Sequence, residues 1–417
     1  MLDKQAMDAA RKQTTEKLEP MKRAFLAIAK ENTMVERVVI ERPSTEVITR
    51  PTVEDARAVL KTKKTSKYSK RVEFLPCGSS MLSLISSGRI IDGGFPRGRV
   101  INIVGDGSSG KTLIALEFLA AVFYAFRAGI LPPSQIYKPA IPKRLFIIYN
   151  NVEGVMDFNV EDMYGKAFYD AVEWISSPTV EHFGQDFFGK KLANYKPGDM
   201  ILYVVDSWDA LDSQEDKDKF EENIKKIAEG KKPGETGSYE LGKQKYASKR
   251  FFKKVTADIQ SVNADLTLVI VSQVRKKIGV TFGESRYRAG GDALNFYTHL
   301  VVWLAEIEKM KMQRLGHQRV YGIKTRARVK RSKVWKPFRE ADMEIIFDYG
   351  VDDVQSLMDF YFGPKKQTIQ WLDVEYKRDN LIDLFHSDKE QLNMLKYAVQ
   401  EVWDDVERRV TPTRRKY

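Results

Sequence analysis

Short apolar runs alternate with stretches of helical periodicity along the chain from residue 72 onward. The clearest apolar runs are Val100–Val104, Leu145–Tyr149, Ile201–Val205, Leu266–Val271 and Leu300–Leu304. Short continuous apolar runs that are bounded by turn residues are typical of strands buried on both faces of a parallel sheet. The pattern therefore predicts an α/β fold with a central, mostly parallel sheet.

The segments on either side of this core have different patterns. Residues 1–71 are highly charged and predict an N-terminal helical arm, with a helix at Lys4–Lys17, followed by a basic linker. Residues 351–417 predict a small C-terminal α/β domain. We therefore expect three parts: an N-terminal oligomerisation region and linker at 1–71, a core at 72–350 and a small domain at 351–417.

One polar stretch interrupts the core between residues 213 and 242. It is too long for a tight connection, and such a loop inside a compact domain is usually functional or disordered. Within it, Gln214–Glu229 alternates acidic and basic residues at helical spacing, which predicts a solvent-exposed helix.

Charge adds a class of partner to this picture. The 417 residues carry a net charge of +12, a balance that favours a polyanion, either nucleic acid or an anionic membrane. No apolar run approaches the ~20 residues of a membrane span, and the first residues do not resemble a signal peptide. Cys77 is the single cysteine, and four histidines lack metal-ligand spacing. We therefore expect a cytoplasmic protein with no membrane partner and no zinc or redox chemistry.

One motif indicates a nucleotide site. It follows the apolar run Val100–Val104, precedes a helical run, fits the pattern G-x-x-x-x-G-K-[ST], and consists of Gly105, Asp106, Gly107, Ser108, Ser109, Gly110, Lys111 and Thr112. The glycines allow backbone N–H groups to turn inward around phosphates, and the helix N-terminus adds its positive dipole end. We expect Lys111 to neutralise the β- and γ-phosphates of ATP and the Thr112 hydroxyl to bind Mg²⁺.

Two carboxylates follow apolar runs that should end at the same edge of the sheet. Asp206 follows Ile201–Val205 and is the candidate for holding Mg²⁺ through water, although an aspartate there could also simply cap the next turn. Glu153 follows Leu145–Tyr149 and is the candidate for activating water. By position alone, a surface glutamate explains Glu153 equally well.

Several segments resemble, in order along the chain, the bacterial RecA family of recombinases. They are Gly94–Arg99 before the phosphate-binding motif, Ser272–Gly283, Ala289–Tyr297, and Thr325–Lys333 with Pro337 and Phe338. The resemblance runs from about residue 72 to residue 360. It implies a RecA-type P-loop NTPase core and a DNA-dependent ATPase activity.

The resemblance also implies roles for individual residues. Glu153 matches the family's catalytic glutamate, since Asp157 keeps the spacing to an aspartate near the adenosine, and Gln273 matches the glutamine that senses the γ-phosphate. Arg331 and Lys333 match the pair that reaches the ATP of a neighbouring subunit. The residues that fall in DNA-binding positions are Arg275, Lys276, Lys277, Phe282, Arg286, Arg288, Gly290 and Gly291.

The chain departs from the family pattern in several places. Asp106 and Gly107 stand where the family has proline and glutamate, which should preserve binding because only backbone contacts are needed there. The family's adenine-stacking tyrosine falls at or near Val160, where Tyr164 could substitute. The first DNA loop would include Gly234–Gly242, and the N-terminal region is longer than that of the family.

The most basic stretch runs from Lys309 to Arg339, with a dozen basic residues and no acidic one. Strand alternation would place residues 326, 328 and 330 on one face and residues 331 and 333 on the other. The stretch is either a set of solvated strand edges or a surface that meets ATP across a subunit interface and DNA along a filament.

The leading hypothesis is an ATP-dependent recombinase. It would form a helical homo-oligomeric filament on single-stranded DNA, pair it with homologous double-stranded DNA, and exchange strands. Single-strand-binding and loading proteins are further candidate partners, and the divergence favours a bacteriophage origin. Two alternatives stay open: a ring-shaped RecA-fold helicase motor, and a recombination mediator paralogue that binds ATP without strand exchange.

Overall fold

The computed structural model describes residues 72–154, 156, 159–232, 251–252, 254–255, 264–276, 286–288, 294 and 296–414, with the backbone alone described at 275–276 and 286–288. The chain divides into two compact units. Among the described residues, the larger unit comprises Glu73–Ile369 and Glu375–Gln400, and the smaller includes Gln370–Val374 and Glu401–Arg414. The predicted helix at Lys4–Lys17 lies outside the described residues, and the predicted boundaries at residues 71 and 350 stay predictions.

The strands of the described chain include the five that the apolar runs predict. In chain order they are β1 (Phe74–Leu75), β2 (Phe95–Pro96), β3 (Val100–Gly105), β4 (Arg144–Asn151), β5 (Val172–Ile175), β6 (Asp199–Asp206), β7 (Asp265–Lys276), β8 (Arg286–Arg288), β9 (Leu300–Arg314), β10 (His317–Ser332), β11 (Glu340–Ile346), β12 (Gly350–Asp352), β13 (Thr368–Trp371) and β14 (Val374–Lys377). The prediction of these five strands is confirmed.

One mixed sheet forms the centre of the larger unit. Its neighbouring strands follow the order β12, β11, β10, β9, β3, β7, β6, β4 and β5, and β8 pairs with β7 outside this path. The strands β3 to β7 run parallel to one another and form the parallel half of the sheet. The strands β9 to β12 form the antiparallel half, in which β9 also pairs in parallel with β3. The predicted mostly parallel α/β fold is therefore confirmed.

Helices cover the connections between these strands. The described ones are α1 (Ser80–Ser87), α2 (Lys111–Arg127), α3 (Val160–Tyr164), α4 (Lys166–Tyr169), α5 (Val180–Gly184), α6 (Gln214–Ala228), α7 (Asp353–Phe362), α8 (Arg378–Ser387) and α9 (Lys389–Arg409), with a π-helical segment at Gln185–Leu192 and a 3₁₀ turn at Trp208–Ala210. In the described part of the chain, none of these helices has the length and apolar character needed to cross a membrane.

The helix α6 agrees with the pattern of charges that predicts it. Ser213 caps its N-terminus, where the serine Oγ accepts a hydrogen bond from Asp216 N at 3.1 Å. Most of its side chains are exposed, including Phe220, Ile224 and Ile227. The prediction of a solvent-exposed helix is confirmed.

A group of buried rings packs against the strands of the parallel half. We call it the aromatic cluster, and it consists of Phe183, Phe187, Tyr203, Trp208, Phe251 and Phe252. Each of these side chains is at most 1% exposed. Burying one such side chain fully stabilises the fold by about 1.5–3 kcal/mol, so the cluster fixes the turn that carries Trp208.

The strands β9 and β10 form a hairpin that is longer than the sequence predicts. The apolar run Leu300–Leu304 is only the first third of β9, and β10 pairs with that strand from His317↔Arg314 to Ser332↔Leu300. Residues 311–320 are exposed throughout. A strand with solvent on both faces needs no apolar alternation, so this part of the hairpin leaves no signal in the hydrophobic pattern.

Candidate nucleotide-binding site

The phosphate-binding motif lies in the middle of the sheet, at the carboxyl end of β3. The strand β7 lies on one side of β3 and β9 on the other. The helix α2 begins at Lys111, so the last two residues of the motif form its first turn, and no side chain caps that turn. The uncapped N-terminus of a 17-residue helix favours an anion. The strand–loop–helix context that this motif requires is therefore present.

Two glycines of the motif are required by its geometry. A Cβ on Gly105 would lie 2.2 Å from Ser109 Oγ and 2.8 Å from Leu304 O, so no side chain fits there. Gly110 has a φ of +84°, which glycine adopts without strain. A Cβ on Gly107 would meet nothing within 4 Å, so the loop is open to solvent at this position.

The ammonium group of Lys111 is buried inside the motif. Its Nζ donates to Asp106 O at 2.6 Å, and the same carbonyl accepts a hydrogen bond from Ser109 Oγ at 2.8 Å. Burial lowers the pKa of Lys111, and nearby carboxylates, with Asp206 first among them, oppose that shift. A buried cation beside a helix N-terminus fits a phosphate group.

The two residues that the sequence assigns to Mg²⁺ are brought together. Thr112 Oγ1 donates to Asp206 Oδ2 at 2.6 Å. Asp206 is 5% exposed, and burial raises the pKa of its carboxyl, while the hydrogen bonds that it accepts lower it. A hydroxyl and a carboxylate that meet at one point supply the oxygen ligands that Mg²⁺ prefers, so this pair fits the ion.

Sequence reasoning missed a third residue at this point, Tyr149. Its hydroxyl donates to Asp206 Oδ2 at 2.6 Å, beside the bond from Thr112, and its side chain is fully buried. Burial raises the pKa of Tyr149 well above its usual value, and the charge of Asp206 raises it further. Because Tyr149 ends an apolar run, the sequence predicts only a core residue there, and no signal in the chain distinguishes its hydroxyl.

Glu153 is the centre of a second network at the same edge of the sheet. Ser207 Oγ donates to Glu153 Oε1 at 2.6 Å, and Gln273 Nε2 donates to the same oxygen at 3.0 Å. Glu153 and Ser207 follow β4 and β6, and Gln273 lies near the end of β7; the parallel course of these strands brings their carboxyl ends together. Glu153 is exposed to solvent. A carboxylate that two donors orient and that water can reach is suited to accept a proton from water.

Of the residues predicted to lie near the adenine, the structure describes Val160 and Tyr164. Asp157 lies outside the described residues. Val160 is 4% exposed, and Tyr164 is 9% exposed with its ring centroid 5.6 Å from that of Phe168. Neither Val160 nor Tyr164 therefore presents an open aromatic face to a base.

The predicted DNA-binding residues are described only in part. Lys277, Phe282, Gly290 and Gly291 lie outside the described residues, as does the predicted first loop at 234–242. The backbone of β7 and β8 pairs antiparallel from Val274↔Arg288 to Lys276↔Arg286, with Arg275 opposite Tyr287. The start of the predicted DNA-binding segment thus belongs to β7, the strand that also carries Gln273 of the nucleotide site.

Arg331 and Lys333 do not approach the phosphate-binding motif of their own chain. In β10, Ser332 pairs with Leu300, and Leu300 pairs in parallel with Ile101 near the start of β3. The motif begins at Gly105, four residues and about 13 Å further along that strand. Lys333 Nζ instead donates to Phe296 O at 2.5 Å.

Carboxylates of β11 balance part of the basic stretch. Arg326 Nε lies 2.7 Å from Asp342 Oδ1, and Arg328 Nε lies 3.4 Å from Glu340 Oε2. Because these acids lie just beyond Arg339 in sequence, the count of charges between Lys309 and Arg339 does not include them. The strand pairing makes this part of the surface less basic than the sequence indicates.

The predicted alternation of residues 326, 328 and 330 is interrupted. Arg326 and Arg328 are exposed as expected, but the pairing with β9 shifts between Val329 and Arg331, so Lys330 is an extra residue. Its Nζ lies 5.1 Å from the centroid of the Trp303 ring. An inserted residue bends a strand locally and changes which face the next side chains occupy, so the prediction for 330 relative to 331 and 333 is wrong.

Comparison with known proteins gives one family. A profile of the RecA N-terminal domain matches residues 55–129 and 225–352. The chain is 26% identical to Protein RecA of Borrelia duttonii over 347 residues, which is 81% of this chain and 82% of the relative. It is 30% identical to Protein RecA of Treponema denticola over 291 residues, which is 69% of this chain and 58% of the relative. For Protein RecA of Gloeobacter violaceus the identity is 29% over 290 residues, or 69% and 65% of the two chains.

Proposed function

Since this chain belongs to the RecA family, we propose that it is an ATP-dependent DNA recombinase. Its ATPase activity follows from the family. In the proposed reaction, the chain forms a helical homo-oligomeric filament on single-stranded DNA in the cytoplasm. It then pairs that strand with homologous double-stranded DNA and exchanges the strands.

One contact supports this proposal more than any other, the hydrogen bond from Gln273 Nε2 to Glu153 Oε1 at 3.0 Å. Glu153 is the candidate for activating water, and Gln273 lies in β7 just before the segment that resembles a DNA loop. A change around the γ-phosphate that moves Glu153 therefore also moves the first residue of that segment. This is the kind of contact that a DNA-dependent ATPase needs.

Each residue of the site has a role in the proposed hydrolysis of ATP. Lys111 and the N-terminus of α2 bind the phosphates, and Thr112 and Asp206 hold Mg²⁺, which when bound neutralises phosphate charge. Glu153 accepts the proton of the attacking water. Ser207 and Gln273 orient that carboxylate, because both donate to its Oε1.

We further propose that Arg331 and Lys333 complete the site of a neighbouring subunit. Transfer of the γ-phosphoryl group needs additional positive charge, and a cation from another copy makes turnover depend on assembly. The register of β10 supports this role, since it holds both residues at the edge of the sheet opposite to the motif. The pKa of Lys333 is lowered by partial burial and by the charge of Arg331.

DNA binding in the proposed filament is independent of base sequence. The net charge of +12 and the basic residues Arg275, Lys276 and Lys277 favour contacts to the phosphate backbone. Such contacts release counterions, so the affinity falls steeply as the salt concentration rises. Replacing the three basic residues by alanine should flatten the plot of log affinity against log salt.

The function is tested by two assays of the purified chain without single-strand-binding or loading proteins. The first measures ATP hydrolysis with and without single-stranded DNA. The second follows joint molecules between a single strand and a duplex that is either homologous or unrelated. We expect DNA to stimulate hydrolysis and joint molecules to form with ATP and homology only.

The alternatives give different results in the same assays. A helicase motor would separate the strands of a forked duplex without homology. A mediator paralogue would bind ATP and DNA but form no joint molecules in any condition. Either result would contradict the recombinase function while leaving the family and its ATPase site in place.

A further inference from the structure

The turn after β6 makes two contacts with the nucleotide site. Asp206, at the end of the strand, accepts the hydrogen bond from Thr112 Oγ1, and the next residue, Ser207, donates to Glu153. Ser207 is fully buried. The first two residues of this turn therefore contact Thr112, a proposed metal ligand in α2, and Glu153, the proposed base that follows β4.

The next two residues of the same turn contact different parts of the molecule. Trp208 is fully buried in the aromatic cluster, where its ring centroid lies 5.3 Å from that of Phe252. Asp209 Oδ2 accepts a hydrogen bond from the backbone N–H of Gln273 at 2.6 Å. Four consecutive residues, 206 to 209, thus connect the nucleotide site to the core and to β7.

Gln273 is consequently held at both ends. Its side chain donates to Glu153, and its backbone N–H donates to Asp209. The residues that follow it, from Val274 onward, form the segment that resembles the second DNA loop. A displacement of the turn therefore changes the position from which that segment starts, even where the Gln273 side chain keeps its own contact.

The aromatic cluster and its neighbour Tyr297 include residues that follow both predicted DNA loops in sequence. Phe251 and Phe252 come nine and ten residues after Gly242, the last residue of the predicted first loop. The ring of Phe252 stacks on that of Tyr297, with centroids 6.2 Å apart and planes at 16°, and Tyr297 comes six residues after Gly291. Trp208 packs against this stack, so the chain returns from both loops to the same buried turn.

Charge links Asp209 to the phosphate position as well. Its carboxylate is one of the four whose charge raises the pKa of Lys111 against the effect of burial. Of these four carboxylates, Asp209 has the smallest effect on Lys111, so the link from this turn to β7 rests on the hydrogen bond that Asp209 accepts from Gln273.

We propose that the turn 206–209 couples nucleotide occupancy to the DNA loops, and that Asp209 is the positioning residue that transmits the change to β7 through the Gln273 backbone. The inference rests on the proposed function, since it assigns the regulation of that same site. It differs from the side-chain contact of Gln273 because it acts through the main chain and needs no change of the Gln273 rotamer.

The test measures coupling rather than activity. The dissociation constant for fluorescent single-stranded DNA is determined with ADP and with a non-hydrolysable ATP analogue, and the ratio of the two is the coupling factor. We expect a factor of about 10–100 for the wild-type chain. In Asp209→Ala we expect the ratio to lie within about 3 of unity, with DNA affinity in the absence of nucleotide changed by less than about 3-fold.

Two further variants are controls, one for the charge of Asp209 and one for the position of the substitution. Asp209→Asn keeps an oxygen that can accept from Gln273 N, so it should retain a coupling factor within about 3-fold of wild type. Asp212→Ala removes a neighbouring exposed aspartate and should retain the wild-type factor. If Asp209→Ala does not fold, as judged by circular dichroism, Asp209→Leu, which also lacks an acceptor, tests the same bond with the same expected ratio.

The outcomes are distinct. A wild-type coupling factor in Asp209→Ala or Asp209→Leu overturns the role of Asp209. A factor near unity in Asp212→Ala also overturns it, because the effect would then not be specific to the Gln273 contact. A wild-type chain that binds no single-stranded DNA, or binds it equally with both nucleotides, contradicts the proposed function itself.

Discussion

The two halves of the central sheet contribute to the nucleotide site in opposite ways. The parallel half gathers Thr112, Asp206, Glu153 and Gln273 at one edge, although they are distant in sequence. The antiparallel half places Arg331 and Lys333 at the opposite edge. It pairs two other cations, Arg326 and Arg328, with carboxylates of β11.

The difference follows from strand direction. Parallel strands that are joined by crossovers all end at the same edge, so residues after them meet within one chain. Antiparallel strands alternate between the edges, so β10 runs past the motif and ends level with the start of β3. The parallel half is therefore suited to bind a nucleotide alone, and the antiparallel half to offer cations to a second copy.

The largest effect is expected for the double variant Arg331→Ala with Lys333→Ala. Removing the cations that we propose act on the transferred phosphoryl group should lower turnover by about 10³-fold or more. ATP binding by the free subunit should stay within about 3-fold of wild type, because Lys111 is untouched. Steady-state hydrolysis and nucleotide titration measure the two quantities.

The matched control for this variant is Arg326→Ala with Arg328→Ala, which removes the same charge from a nearby part of the chain. These two side chains pair with Asp342 and Glu340, so ATP turnover should stay near the wild-type rate. Equal losses in the two double variants would mean that overall charge, and not the position of Arg331 and Lys333, determines turnover.

The second prediction concerns Glu153 in the parallel half. Glu153→Gln removes the carboxylate that we propose as the proton acceptor, so turnover should fall by about 10²–10⁴-fold with nucleotide affinity nearly unchanged. The complex with ATP and DNA should then persist. Glu173→Gln, at an exposed glutamate of β5, is the control. Hydrolysis at the wild-type rate in Glu153→Gln would remove this residue from the reaction.

Glu117 offers a third prediction, because it joins the two halves. It lies in α2, its Oε1 accepts a hydrogen bond from Val351 N in β12 at 2.9 Å, and Tyr164 and Asp353 are its titratable neighbours. Burial raises the pKa of Glu117 to about 7. A carboxyl whose pKa is higher in the folded chain binds its proton more tightly there, so it stabilises the fold at low pH and loses this contribution as the pH rises through about 7.

Glu117→Gln should abolish this pH dependence, since the amide stays neutral. The difference in the free energy of unfolding between variant and wild type should shift in favour of the variant between pH 5 and pH 8, by on the order of 1–3 kcal/mol. Denaturant unfolding at the two pH values measures it. A difference that is the same at pH 5 and pH 8 would show that Glu117 does not titrate in this range.

The smallest effect is expected at Tyr149. Tyr149→Phe removes the hydroxyl that orients Asp206, so the Mg²⁺ concentration for half-maximal hydrolysis should rise by about 10-fold, with little change at saturating Mg²⁺. Tyr203→Phe is the matched control, since its buried hydroxyl in β6 donates to Asp186 instead. An unchanged Mg²⁺ requirement in Tyr149→Phe would leave the hydroxyl a purely structural role.

Much of the parallel half is predictable from the sequence. The five apolar runs identify the strands, and the motif at Gly105–Thr112 is local, so its residues need no tertiary information. Asp206 and Glu153 become candidates because each follows such a run, and parallel topology then brings them to one edge. The fold and most of the candidate site therefore follow from pattern and motif.

The remaining features depend on pairing between segments that are distant in sequence. No local signal reports that the Tyr149 hydroxyl reaches Asp206, or that Asp209 accepts from the Gln273 backbone. The balance of Arg326 by Asp342 depends on the register of two antiparallel strands, and the bulge after Val329 depends on packing. These contacts are determined by the assembled sheet.

In the proposed filament, one subunit's parallel half and another subunit's antiparallel half form each working site. The most direct test of this arrangement mixes Lys111→Ala with the double variant Arg331→Ala and Lys333→Ala, each inactive alone. A mixed interface can pair an intact motif with intact cations. If the two variants are mixed equally and arranged at random, ATP hydrolysis on single-stranded DNA should return to roughly a quarter of the wild-type rate. No return of hydrolysis, in filaments that fluorescence transfer between the two labelled variants shows to be mixed, would contradict this arrangement.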